Sequence, residues 1–432
     1  MLSVNFVGME QVRFLEHQAA SLLLYQSVLE TPLGATFLEL LAALHPDITS
    51  VQCLRVYGRW VKLQATYQTT WQSYLIEQVL TDENPFSCQC QHCSWEELSP
   101  ALIQAAQHDL WVLKSLYECG GEQLSRWVQA GAKLPTAPVV WQQGSSLWES
   151  GCLPDHLAHL ERWEEAVKLL ANHYSQKGAG IFARYDGFQW RDQQLVPVSY
   201  PDPIQLTELV GYEHQRETLC KNTEFLLAGY PALHVLLYGS RGSGKSSLVK
   251  SLLNHYGKQG LRLIEVGKSD LKDLPIIVEY LRGVPQKFII FVDDLSFEED
   301  DDGFKSLKVL LEGSLTARPK NVVVYATSNR RHLVREFFAE RPRPVEEDEV
   351  HSWDTVQEKL SFSDRFGLTL TFTPADQPTY LKIVEHLARV YLPRVPANLE
   401  DQALQWATRH NGRSGRTARQ FIDFLQGELG HS

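Results

Sequence analysis

The chain has 432 residues, 44% of them hydrophobic and 22% charged, which is the composition of a globular protein with room for two to three domains. Its net charge of −11 argues against a broad nucleic-acid-coating surface and leaves space only for a local basic patch. No apolar run reaches the roughly 18 residues of a membrane span, MLSVNFVGMEQVRF lacks a basic-then-apolar signal pattern, and an odd cysteine count excludes a full disulfide framework, so the expectation is a cytoplasmic protein with no membrane partner.

In chain order, TFLELLAALHPDI, DLWVLKSLY and LAHLERWEEAVKLLANHY place apolar residues at helical spacing. Residues 1–200 therefore read as a mostly helical N-terminal domain. Nine of the eleven tryptophans fall at or before Trp190, and they read as core packing rather than as a binding platform. Cys88-Gln-Cys-Gln-His-Cys93 offers three thiols and His92 at a tight C-x-C-x-x-C spacing. With no second C-x-x-C pair to complete a zinc site, a loop of free thiols is expected. LVPVSYPDPIQL (195–206) carries three prolines and reads as a linker, so the first boundary is placed near residue 200.

Beyond the linker the pattern alternates. HVLLYG (234–239) reads as a short strand and SSLVKSLLNHYG (246–257) as a helix ending at glycine. LRLIEVG, KFIIFVDDL and NVVVYATSN are apolar nearly throughout, as strands of a parallel sheet covered on both faces are. Residues 201–373 thus read as an α/β core. QPTYLKIVEHLARVY, LEDQALQWATRH and RTARQFIDFLQGEL make 374–432 a small helical unit. The acidic runs Glu298–Asp302 and Glu346–Glu349 read as solvated loops.

Gly239-Ser240-Arg241-Gly242-Ser243-Gly244-Lys245-Ser246 fits G-x-x-x-x-G-K-[ST] at every fixed position, with Ser247 next on the helix that it opens. Glycines let backbone N–H groups approach a phosphate without a Cβ clash. The helix N-terminus presents its positive end to the anion. Lys245 supplies a point charge for the β- and γ-phosphates, and the Ser246 hydroxyl is a ligand for Mg²⁺. ATP and Mg²⁺ are therefore the expected cofactors.

FIIFVDDL (288–295) ends in two carboxylates, on what the pattern predicts to be the sheet neighbour of the loop strand. Asp293 is the expected second Mg²⁺ ligand, acting through water, and Asp294 is placed to polarise an attacking water. NVVVYATSN (321–329) ends in Asn329, whose amide can orient that water; a turn-forming asparagine is the plainer alternative.

Two more segments, LSFSDRFGLTLTF (360–372) and GRSGRTARQF (412–421), complete a set that resembles the AAA+ ATPases. Within them the set is similar to a bacterial family known mainly as a domain of unknown function, over about residues 205–427. LVGYEHQRETLCKNTEFLLAG (209–229) fits the segment that borders the adenine there. The resemblance implies an AAA+ P-loop parallel-sheet core with a C-terminal helical lid. It makes Asn329 the sensor 1 position and Arg365 a finger facing the neighbouring subunit's ATP, the alternative being an ion pair with Asp364. The stretch SDRFGL around Arg365 is similar to the box of bacterial replication initiators and of the Holliday-junction branch-migration motor. Arg416 aligns best with sensor 2, with Arg413 and Arg419 beside it. Most AAA+ proteins carry Glu where this chain has Asp294, so its carboxylate is one methylene shorter.

What the resemblance implies is an ATPase that assembles into a homo-oligomeric ring and remodels or loads a macromolecular partner, DNA or protein. The rival reading is a slow nucleotide switch that binds a partner through its N-terminal domain. EVGKSDLKDLP (265–275) lacks the aromatic pore loop of threading unfoldases, which disfavours protein threading.

Overall fold

The computed structural model describes residues 2–142, 151–296, 302–312, 319–329, 365–410 and 412–430. The chain divides into two compact units, Met1–Arg184 and Tyr185–Ser432.

The first unit is helical: α1 (Leu2–Ala20), α2 (Ser27–Glu30), α3 (Pro32–Ala43), α4 (Ser50–Tyr67), α5 (Trp71–Thr81), α6 (Pro85–Cys90), α7 (Pro100–Glu118), α8 (Gly121–Ala132), α9 (Leu153–His159), α10 (Val167–Lys177) and α11 (Ile181–Arg184). Three starts follow one local rule. The Thr31, Thr49 and Thr70 hydroxyls cap α3, α4 and α5 by accepting from Gly34, Gln52 and Ser73 N–H. The core is aromatic, as the tryptophan distribution predicts. Trp60, Trp71 and Trp163 are fully buried, and Phe37 stacks on Trp71 with ring centroids 4.2 Å apart. Asp109 is buried on α7 and accepts from the backbone N–H of Leu23, Leu24 and Tyr25, tying down the turn after α1. On α6 and the turn after it Cys90 is buried, Cys88 half-buried and Cys93 exposed. No group of three His, Cys, Asp or Glu that could hold a metal forms among the described residues.

The second unit opens with a hairpin, β1 (Gly187–Arg191) and β2 (Gln194–Pro197). The linker read over 195–206 therefore begins inside a strand, and the boundary of the compact units falls at Tyr185 instead of near residue 200. The physical reason is pairing: β1 hydrogen-bonds in parallel to the core strand β4 (Leu261–Val266) and carries β2 with it. The hairpin turns on Asp192 and Gln193, both with positive φ.

The remaining strands are β3 (Val235–Gly239), β5 (Lys287–Val292), β6 (Val322–Ser328) and β7 (Leu368–Phe372). The sheet has seven strands in the order β2-β1-β4-β5-β6-β3-β7, parallel except for β1 with β2. Every residue of β6 is buried, as is all of β5 after Lys287, which fits a parallel sheet covered on both faces. Helices α12 (Glu213–Leu227), α13 (Lys245–Tyr256), α14 (Leu274–Tyr280) and α15 (Asp302–Glu312) alternate with the strands.

The chain ends in α16 (Gln377–Tyr391), α17 (Leu399–Arg409) and α18 (Gly415–Gly430), which bury Tyr380, Leu387, Phe421 and Ile422 among themselves. This is the expected fold: a parallel P-loop core with a helical lid, in a chain whose first unit is helical. One detail differs. The acidic strand β5 is not the neighbour of the loop strand β3; β6 lies between them. After β3 the chain crosses to β4 and returns through β5 and β6, so the loop lies where the strand order reverses, the usual place for a ligand crevice.

Candidate functional site

At the carboxyl ends of β3, β5 and β6 lies a cleft of about 940 Å³. Its floor is the loop 239–246. Gly239 has φ +142°, and a Cβ there would lie 1.9 Å from the Phe372 carbonyl oxygen, so only glycine lets β3 and β7 run side by side into the loop. The Ser243 hydroxyl donates to Ser240 O at 2.9 Å and closes the turn. Helix α13 then starts at Lys245 with its first N–H groups facing the loop.

Lys245 is 6% exposed, and burial lowers its pKa, partly offset by the charges of Asp293 and Asp294. Its ammonium donates to Gly239 O at 3.0 Å, to Ser240 O at 2.8 Å and to Asn329 Oδ1 at 3.3 Å. All three of its protons are thus directed to oxygen. Asn329 uses its other end as well: Nδ2 donates to Asp294 Oδ1 at 2.6 Å.

The Ser246 hydroxyl donates to Asp293 Oδ1 at 2.6 Å. A hydroxyl has one proton to give, so this bond leaves its lone pairs for a cation. The same Oδ1 accepts from Asp294 N at 3.1 Å and from the Thr327 hydroxyl at 2.5 Å. Asp294 has φ +50°, a left-handed conformation that aspartate tolerates better than most residues. Its amide donates to Thr327 Oγ1 at 2.9 Å. The pair of carboxylates reaches the loop even though β6 intervenes, because Asp293 lies just past the end of β5 and meets Ser246 from there.

The lid closes one side. Arg416 lines the cleft, and its backbone N–H donates to the Gly242 carbonyl at 3.1 Å. Gly242 has φ +76°, and a Cβ on it would come within 2.9 Å of Ser414 Oγ. Of the two neighbouring arginines, Arg413 is exposed. Arg419 lies 3.9 Å above the Tyr391 ring and pairs with Glu208 at 3.4 Å and Asp423 at 3.0 Å. The Tyr391 hydroxyl also donates to Glu208. The cleft also has apolar lining, with Leu209, Val210, Ile383 and Leu387, and Leu209 lies beside the loop at Gly244.

Of the residues singled out in the sequence, 241–247, Asp293, Asp294, Asn329 and Arg416 all line this one cleft, and Gly239 and Ser240 join it through their carbonyls on Lys245. Arg365 does not line it. It lies half-buried just ahead of β7, and Asp364, its alternative partner, falls outside the described residues. Sequence reasoning passed over Thr327, although a period of two puts it on the same side of β6 as Asn329. It also passed over Glu208 and Tyr391, which no spacing connects, since they are 183 residues apart.

A family model described as "Protein of unknown function (DUF815)" matches residues 183–429. No curated protein sequence matches the chain. Among solved structures, a mutant of RuvB from Thermotoga maritima is 17% identical, with a TM-score of 0.38 over 53% of this chain and 67% of that one. The Orc1 protein of Aeropyrum pernix, solved in complex with DNA, is 16% identical, with a TM-score of 0.36 over 54% of this chain and 66% of that one. At such TM-scores neither likeness adds to what the sheet order itself shows.

Proposed function

As the chain belongs to the DUF815 family, over residues 183–429, we propose that it binds ATP with Mg²⁺ in the cleft of its second unit and hydrolyses the β–γ bond. The observation that carries this reading is the joined set Lys245–Asn329–Asp294, with Ser246 on Asp293 at 2.6 Å beside it. Cation, amide, carboxylate and hydroxyl meet at the loop that a triphosphate would enter.

The donor set fits Mg²⁺. Ser246 and Asp293 are hard oxygen donors, and Mg²⁺ keeps most of its waters and takes its other ligands from phosphate, so one hydroxyl and one carboxylate suffice. When bound, the ion would neutralise charge on the β- and γ-phosphate oxygens. The chain's own groups do the rest. Loop N–H groups and Lys245 hold the phosphates. Asp294 accepts a proton from the attacking water, and the Asn329 amide that donates to it keeps that carboxylate aimed. Arg416 enters from the lid toward the γ-phosphate, and Arg365 acts on a neighbouring subunit's nucleotide. The apolar lining of Leu209, Val210, Ile383 and Leu387 suits a purine base.

A homo-oligomeric ring that uses this turnover to remodel or load a DNA or protein partner is the broader reading. A slow switch, with the helical unit as its partner-binding part, is its rival. The turn after β4, Lys268–Asp273, has no aromatic residue for gripping a threaded chain. Titration calorimetry tests the core of the proposal. The protein should bind ATP in the presence of Mg²⁺, and Lys245→Ala should lose that binding; equal affinity in both would sink the assignment.

A further inference from the structure

We propose that Thr327 is a positioning residue for the metal half of this site, a role that rests on the ATP-binding reading above. Thr327 is 2% exposed near the end of β6 and touches both acidic residues at once. Its hydroxyl donates to Asp293 Oδ1 at 2.5 Å and accepts from Asp294 N at 2.9 Å. The hydroxyl's one proton is committed to Asp293 and one lone pair to Asp294, so its rotor has no freedom left.

The consequence for Asp293 follows from where its bonds fall. Ser246, Thr327 and the Asp294 amide all converge on Oδ1. Oδ2 has no protein hydrogen bond among the described residues and is left for the cation's water shell. Ser246 shares the same oxygen but also has to serve the cation with its lone pairs. Thr327 has no cation to serve, and it comes from β6, the strand that separates the loop from the acidic strand. It holds Asp293 from the intervening strand itself, while Ser246 reaches the same oxygen from the loop.

The consequence for Asp294 concerns its backbone. The left-handed φ of +50° costs energy for a residue with a side chain. The Asp294 N–H finds its acceptors in Thr327 Oγ1 and Asp293 Oδ1, so the turn that delivers the second carboxylate hangs on the first one and on Thr327. Groups that orient metal ligands from behind typically change metal affinity by about 10–100-fold when removed.

The test compares Thr327→Val, which keeps the branched shape and drops the hydroxyl, with Thr327→Ser, which keeps the hydroxyl. ATP affinity is measured by calorimetry with Mg²⁺ and again with chelator, and the ratio of the two affinities is the readout. Thr327→Val should lower that ratio by about tenfold while affinity in chelator stays at the wild-type value, and Thr327→Ser should restore the ratio. A residue that merely filled the strand would lower both affinities together. An unchanged ratio in Thr327→Val, or an equal loss in both variants, overturns the positioning role. If wild type itself binds ATP with no Mg²⁺ effect, the reading of the site fails first and this inference with it.

Discussion

Asn329 joins the two halves of the cleft: its Oδ1 accepts from Lys245 at 3.3 Å while its Nδ2 donates to Asp294 at 2.6 Å. An amide that bridges a cation and a carboxylate has its orientation set by charge at both ends, with the oxygen toward the ammonium and the nitrogen toward the carboxylate. In the proposed reaction these two are the phosphate-holding and the water-activating group, and one side chain links them.

Asp294→Asn should keep ATP bound and slow hydrolysis at least about tenfold, roughly 1.4 kcal/mol of barrier. The neutral amide cannot take the proton, and its own NH₂ can face the Asn329 Nδ2 where a carboxylate oxygen now accepts. Single-turnover rates beside equilibrium binding separate the two effects. Normal hydrolysis by this variant would put the base elsewhere.

Gly242→Ala probes the lid. A methyl group there meets Ser414 Oγ at 2.9 Å and Ser414 Cβ at 3.1 Å, at a φ of +76°. The backbone strain alone is about 1–2 kcal/mol, and relief of the contact requires Ser414 and the start of α18 to retreat from the loop. Weaker nucleotide binding is expected, together with faster hydrogen exchange at Arg416 N–H, which now donates to Gly242 O. Protection at that amide equal to wild type would show that the lid contact survives.

The parts of this architecture that were legible in the chain are those written locally. The loop 239–246 needs glycine and lysine at fixed offsets, and β5 and β6 announce themselves as apolar runs capped by Asp293 and Asn329. The hairpin β1–β2 escaped because its turn, Asp192–Gln193, uses positive φ without glycine or asparagine. Its second strand also contains Pro197, which sits at the unpaired edge of the sheet and so needs no ladder donor there. The placement of β6 between the loop and the acidic strand is a matter of sheet order, which apolar runs do not encode. The Arg419–Glu208–Tyr391 cluster brings together residues up to 211 positions apart and leaves no local trace.

Asp109 offers a test of the helical unit. It is fully buried and accepts four hydrogen bonds from three consecutive backbone amides, Leu23 to Tyr25. Asp109→Ala strands those donors, and stranded buried donors cost on the order of 3 kcal/mol together. The unfolding transition of this unit should shift to lower denaturant. ATP affinity, which belongs to residues of the second unit, should stay at its wild-type value. Coincident loss of ATP binding would show that the two units fold as one.

Arg365 has the most geometric of the expectations. In the β3–β7 ladder Gly239 stands opposite Phe372, and Val235 opposite Leu368. The loop leaves β3 at its carboxyl end, whereas Arg365 precedes the amino end of β7. Leu368 to Phe372 alone spans roughly 13 Å at strand rise, and Arg365 lies three residues further back. It therefore sits toward the opposite end of the strands from its own loop and does not line its own cleft. If Arg365 stabilises charge on a transferring phosphoryl group, it does so on a neighbour's nucleotide. Turnover should then rise with protein concentration as subunits assemble. Arg365→Ala should bind ATP and lose hydrolysis, while Lys245→Ala loses binding and keeps its arginine. Mixed together, the two inactive proteins should regain part of the activity, because a sound loop from Arg365→Ala meets a sound arginine from Lys245→Ala. Concentration-independent turnover with no rescue on mixing would leave Arg365 a structural residue at the start of β7.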